Sequence, residues 1–339
     1  MPVRAETGPG GSGSGVVRWL TEHSEWKLLV VVVPALLSVL TVELLVGPEL
    51  VELLVGRLVQ GVDAQPRFAR GMIMMSALTV SYVALCLALL AYYCNGVAAS
   101  ALPASRKRRA AVVGITTWIV FHAVLVGLSV FDLQLYSVAY DSIVRIYQQA
   151  GGPVAAAMTG DAGLPGVSRH LISILLPVAF GVAVVCVGSC HAGAIVENAR
   201  GADRSDDSGQ TARDALDRLI HGMIAMSALL VASTLLLTLY FRLPQALYGT
   251  GEAASALGAE YLDFANVVSI FWGVVMTLTL VAVYAPHAVA LRSLASVPLG
   301  QLLEKGTEGG AFYSGLLKRA EVVVSALAPL LAALTTQLL

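Results

Sequence analysis

The stretch AAVVGITTWIVFHAVLVGLSVF, residues 110–131, decides how the chain is read. It holds no charged residue and is bounded by Arg109 and Asp132. A hydrocarbon core about 30 Å thick takes about 20 apolar residues of helix to cross, and this run supplies them. Five other segments of the same kind lie around it: 28–41, which reaches Val46 if Glu43 lies at the interface, 71–94, and the runs between Arg169 and Glu197, Arg218 and Arg242, and Asp263 and Arg292. Lipid offers no water to open backbone groups, so each must be helical. The expected fold is all-α: a polytopic integral membrane bundle of six transmembrane helices. A seventh apolar run, 322–339, carries Pro329 and ends the chain. It is read as a packed or interfacial helix, with spanning and packing in an oligomer core left open.

Composition agrees. Of 339 residues, 57% are hydrophobic and 13% charged, where soluble domains carry about 25% charged residues. That deficit excludes a soluble enzyme and a disordered chain. Net charge is −1, so no basic field points to nucleic acid. Aromatic residues near segment ends, Trp19, Trp26, Tyr92, Tyr93, Tyr240 and Phe241, suit the headgroup layer.

Lys and Arg gather on the cytoplasmic side in short loops. With the N-terminus inside, 15 of the 21 fall on the inner side, led by Arg106, Lys107, Arg108 and Arg109. The expected location is the cell (inner) membrane of a bacterium, with N-terminus and tail cytoplasmic. Residues 1–26 form a Gly/Ser-rich flexible leader with no cleavage site following an apolar stretch.

GMIMMSAL (71–78) recurs as GMIAMSAL (222–229), seven of eight positions agreeing. Pro34 and Pro177 sit in similar apolar surroundings upstream of each copy. The chain then divides into three-helix units 27–135 and 168–293, an outer loop 136–167 and a tail 294–339. Three helices is an odd number, so the second unit enters inverted, as in many secondary transporters. Against this, Ala, Leu, Met and Ser are common in any span.

Outside the spans, 49–60 and 133–149 read as amphipathic helices on the outer surface. Tyr136, Tyr140 and Tyr147 share a face suited to the headgroup layer, as a lid or as a helix resting at the interface.

Polar groups inside lipid are costly and mark candidate sites. His122 lies near the centre of 110–131. Pro286 and His287 follow one another near the inner end of the sixth segment, and Pro34, Pro177 and Pro286 each bend or break a helix. These five residues are the candidate pore or transport positions. In CVGSCHAG (186–193 with Gly188 and Gly193), Cys186 and Cys190 share a face and His191 points away from it. A metal site would need more ligands than these, so small-residue packing is the preferred reading. No metal, cofactor or catalytic residue is assigned. HExxH and GxxxxGK[ST] are missing from the sequence, and no enzymatic activity is expected.

Passage of a small solute or ion, through a transporter or channel-like component, is the leading functional expectation. The alternative is a non-transporting sensor, anchor or effector subunit. Expected partners are the bilayer, further copies of the chain, and cytoplasmic proteins meeting 197–218 and 294–339.

Overall fold

The computed structural model describes residues 66–100, 102–130, 142–164, 167–202, 208–249, 251–295 and 311–335. The first expected span, Pro34, the leader and the segment 49–60 lie outside the described residues, as do Tyr136 and Tyr140. In chain order the elements are α1 (Pro66–Ala99), α2 (Ala104–Val130), α3 (Ser142–Ala150) and α4 (Gly152–Thr159). A small antiparallel pair follows, β1 (Asp161–Leu164) and β2 (Val167–Ser168). Then come α5 (Arg169–Ala202), α6 (Ser208–Arg242), a 3-10 turn (Leu243–Leu247), α7 (Glu252–Ala295) and α8 (Ala311–Thr335). Gly151 and Gly152 join α3 to α4 with φ of +66° and +51°, which side chains disfavour.

Among the described residues, four helices are long and apolar enough to cross a membrane, over Arg70–Ala99, Pro177–Gly201, Asp214–Leu247 and Glu252–Leu291. The opening stretch of sequence forms most of α2, whose helix runs to Val130.

Side-chain contacts fix the helix directions. On α2 and α5, Arg106 meets Glu197 and Trp118 meets Ala179, so residue numbers run oppositely and the pair is antiparallel. On α1 and α6, Tyr93 meets Gly222 and Tyr82 meets Ser233, again antiparallel. By contrast, α1 and α5 advance together, since Tyr82 faces Gly181 and Tyr93 faces Gly188. Helices α6 and α7 run antiparallel, through Arg242–Asn266 and Gly222–Tyr284. Thus α1, α5 and α7 point one way, and α2 and α6 the other. One end of the bundle gathers Arg106, Lys107, Glu197 and Arg200, and is called the basic end below.

Helix α5 packs on α1, α2, α6 and α7, and 56% of its apolar stretch is buried against 22% for α1. Small residues make this close approach possible. A Cβ on Gly181 would strike the Tyr82 hydroxyl, and one on Gly188 would strike Met226.

A second core closes the far end. Ile143, Ile146 and Tyr147 of α3 are fully buried with Phe68, Phe241, Leu247 and Tyr261. Tyr147 is therefore packed beneath the surface, its ring 5.6 Å from that of Phe68, and not spread in a headgroup layer. The sequence showed an amphipathic face and could not say what covered it. Burial pushes the Tyr147 and Tyr248 hydroxyls up, Glu260 adding to the rise at Tyr248.

Helix α8 packs on both α6 and α7. Ser227 Oγ donates to the Ser325 carbonyl at 2.6 Å. A Cβ on Gly273 would come within 2.7 Å of the Ala333 Cβ. The apolar part of the C-terminal segment thus lies against the middle of two long helices.

Candidate functional site

About a third of the way in from the basic end, four helices bring polar side chains together in the core. Helix α1 supplies Tyr93, α5 supplies His191, α6 supplies the backbone of Gly222, and α7 supplies Tyr284 and His287. Tyr93, Tyr284 and His287 are all buried, and His191 is only 8% exposed.

The hydrogen bonds define who donates. Tyr93 Oη donates to the Gly222 carbonyl at 2.8 Å, so its proton is committed. Tyr284 Oη lies 3.5 Å from Tyr93 Oη, where Tyr284 is then the donor. His287 Nδ1 lies 2.6 Å from the Val283 carbonyl. A carbonyl only accepts, so Nδ1 carries hydrogen.

His191 is different. Its ring sits 5.3 Å from that of Tyr93 and 5.6 Å from that of Tyr92. Nδ1 is buried and has no hydrogen-bond partner among the described residues. A buried nitrogen left unpaired costs free energy, about 1–3 kcal/mol by protein mutational data. Two glycines admit the ring. A Cβ on Gly96 would collide with Cδ2 and Nε2 of His191, so α1 must carry glycine there. A Cβ on Gly222 would lie 3.8 Å from Nδ1 and 3.3 Å from the Tyr284 hydroxyl. The unpaired nitrogen and the phenol thus converge on one backbone position.

The sequence-derived candidates fall in different places. His287 belongs to the cluster, its Nε2 within 3.6 Å of where a Cβ on Gly193 would be. Pro286 lies one residue earlier on α7, and Pro177 lies on α5 well toward the far end. Both helices continue through their prolines, so neither is broken there. His122 is apart. Its Nδ1 bonds the Trp118 carbonyl at 2.7 Å, and Trp118 bonds Ala179 of α5. Ala179 is about 18 Å along α5 from His191, at about 1.5 Å per residue. His122 Nε2 is buried without a hydrogen-bond partner among the described residues. Pro34 lies outside the described residues.

Tyr93, Tyr284 and Gly222 escaped the sequence reading, because an interfacial aromatic and a buried hydroxyl look alike in one dimension. Gly222 stood in the echoed motif, the one signal that pointed to it. On α5, Cys186 faces Gly114 of α2, Gly188 faces Met226 of α6 and Tyr93 of α1, and Gly193 faces His287 of α7. Among the described residues, no three His, Cys, Asp or Glu gather where a metal could be held.

The fold and cluster define a helical membrane protein with a polar centre in its core. Compared with protein-family models, curated proteins and solved structures, the chain shows no match.

Proposed function

We propose that this chain is a multi-pass membrane protein that passes a small solute or ion, with the His191–Tyr93–Tyr284–His287 cluster on its path. The observation that carries the reading is the unpaired His191 Nδ1 at the meeting of four helices. Buried polar groups in a bilayer are retained where they serve ions, protons or polar substrates. His122 is a second polar station nearer the far end.

Segment 28–46 completes six spans with α1, α2, α5, α6 and α7, whose alternating directions fit. The positive-inside rule puts the basic end in the cytoplasm of a bacterial inner membrane, with the N-terminus on that side. The tail starts there, and α8 turns back along the bundle. The inverted repeat is supported by one relationship. Gly71 at the start of the first echo faces Leu243 in the turn just after α6, while Gly222 at the start of the second faces Tyr93 near the end of α1. An antiparallel two-fold pair gives that crossing.

A non-transporting role, with cytoplasmic partners at 197–218 and the tail and further copies in the membrane, is favoured by the seal that α3 forms at the far end. Flux decides between them. Reconstituted vesicles pass ions or small solutes under the first reading, and His191→Ala changes the rate. No flux across a broad solute panel overturns it.

A further inference from the structure

We propose that the exposed face of α2 is a binding site for a phospholipid with a net negative headgroup, its phosphate at Arg108 and Arg109 and an acyl chain along Val112, Ile115 and Ile119. This rests on no claim about transport.

The four basic residues opening α2 are not equivalent. Arg106 is paired with Glu197 at 2.8 Å, and Lys107 Nζ donates to the Ala98 carbonyl at 2.7 Å. Both are occupied in tying α2 to α5 and α1. Arg108 and Arg109 are exposed and have no hydrogen bond or ion pair among the described residues. They lie in the second turn of the helix.

Below them the same face turns apolar. Arg108, Val112, Ile115 and Ile119 follow at spacings of four, three and four, which stacks them along one side of a helix. Val112, Ile115 and Ile119 are 55%, 57% and 53% exposed. A neighbouring side of α2 is the one packed on α5, through Gly114 beside Cys186 and Trp118 on Ala179. From Arg108 to Ile119 is about 16 Å, or about half of a 30 Å core. A stripe of one leaflet's length, with two free guanidiniums at its polar end, matches a lipid with its phosphate uppermost. Arg holds phosphate in a planar fork, which a zwitterionic headgroup satisfies less well because its own cation opposes the protein's charge.

Native mass spectrometry of the detergent-solubilised full chain, titrated with phosphatidylglycerol or phosphatidylcholine, tests this. Wild type retains phosphatidylglycerol in preference to phosphatidylcholine. The double variant Arg108→Gln/Arg109→Gln retains about tenfold less phosphatidylglycerol at equal concentration. Arg108→Lys/Arg109→Lys, which keeps the charge, holds most of it. High salt strips phosphatidylglycerol from wild type, a measurement that needs no variant to fold. Equal retention by the Gln variant, or equal retention of both lipids by wild type, overturns the site. Displacement by equimolar inorganic phosphate also overturns it, because the apolar stripe would then contribute nothing.

Discussion

The Tyr93 hydroxyl donates to the Gly222 carbonyl at 2.8 Å, joining α1 to α6 across the protein core. The bond orders the rest of the cluster. It fixes the Tyr93 proton, leaves Tyr284 to donate toward Tyr93, and seats the Tyr93 ring against His191. Tyr93→Phe removes the donor and keeps the ring. The expected loss is about 1 kcal/mol of stability, as for a typical buried hydrogen bond, read as a lower thermal midpoint in detergent. An unchanged midpoint would show that the bond does not help hold α1 to α6.

Glycines at helix contacts divide by what their missing Cβ would meet. Gly96→Ala drives a methyl into the His191 ring, and Gly188→Ala drives one into Met226. Each is expected to cost about 1–3 kcal/mol through overpacking, with Met226 the more able to yield. Gly222→Ala meets the Tyr284 hydroxyl at 3.3 Å and needs only a slight shift. It is therefore expected to fold with nearly the wild-type midpoint while altering flux. A Gly96→Ala protein as stable as wild type would contradict the close approach of α1 and α5.

Glu197 holds two guanidiniums, Arg106 and Arg200, each at 2.8 Å. Its carboxylate side chain is 17% exposed and that of Arg106 is 55% exposed. Glu197→Ala is expected to destabilise more than Arg106→Ala, since the first leaves two cations facing each other. The second is expected to cost under about 1 kcal/mol, as exposed ion pairs do. Chemical unfolding of the two variants in micelles ranks them, and the reverse order would refute the network.

The far-end core should fail in alkali. Tyr147 and Tyr248 lie outside the long apolar helices, and burial raises both above the ordinary tyrosine value. The unfolded chain releases these protons near pH 10, while the folded chain holds them longer. The folded state thus binds more protons, and stability present below about pH 10 falls as pH rises through that window. Tyr147→Phe, which removes one such proton, is expected to move the alkaline unfolding midpoint upward. A downward or unchanged midpoint in a pH titration followed by circular dichroism counts against burial of that hydroxyl.

Topology is read with cysteines. Lys107→Cys at the basic end is expected to resist a membrane-impermeant thiol reagent in intact cells, and Cys in place of the exposed Gln148 of α3 (Gln148→Cys) is expected to react. Labelling at position 107 alone would invert the assigned orientation.

Uncharged runs in the sequence marked the four long apolar helices in advance. An uncharged run as long as 110–131 has few alternatives to a helix in lipid, because no other backbone form satisfies its own polar groups there. The sequence also marked His287 as a costly residue in an apolar helix, and the small residues of α5 as a packing face. Tertiary structure alone decided which polar groups meet. His122 and His191 are both histidines in apolar helices, yet only His191 lies where Tyr93, Gly222 and Tyr284 converge. That depends on helix rotation and pairing, which a near-uniformly apolar segment hardly encodes, since hydrophobic periodicity fades where lipid and protein interior are equally apolar. The burial of Tyr147 had the same origin. Its partners Phe68 and Tyr261 are distant in the chain, and only the packed bundle brings them together.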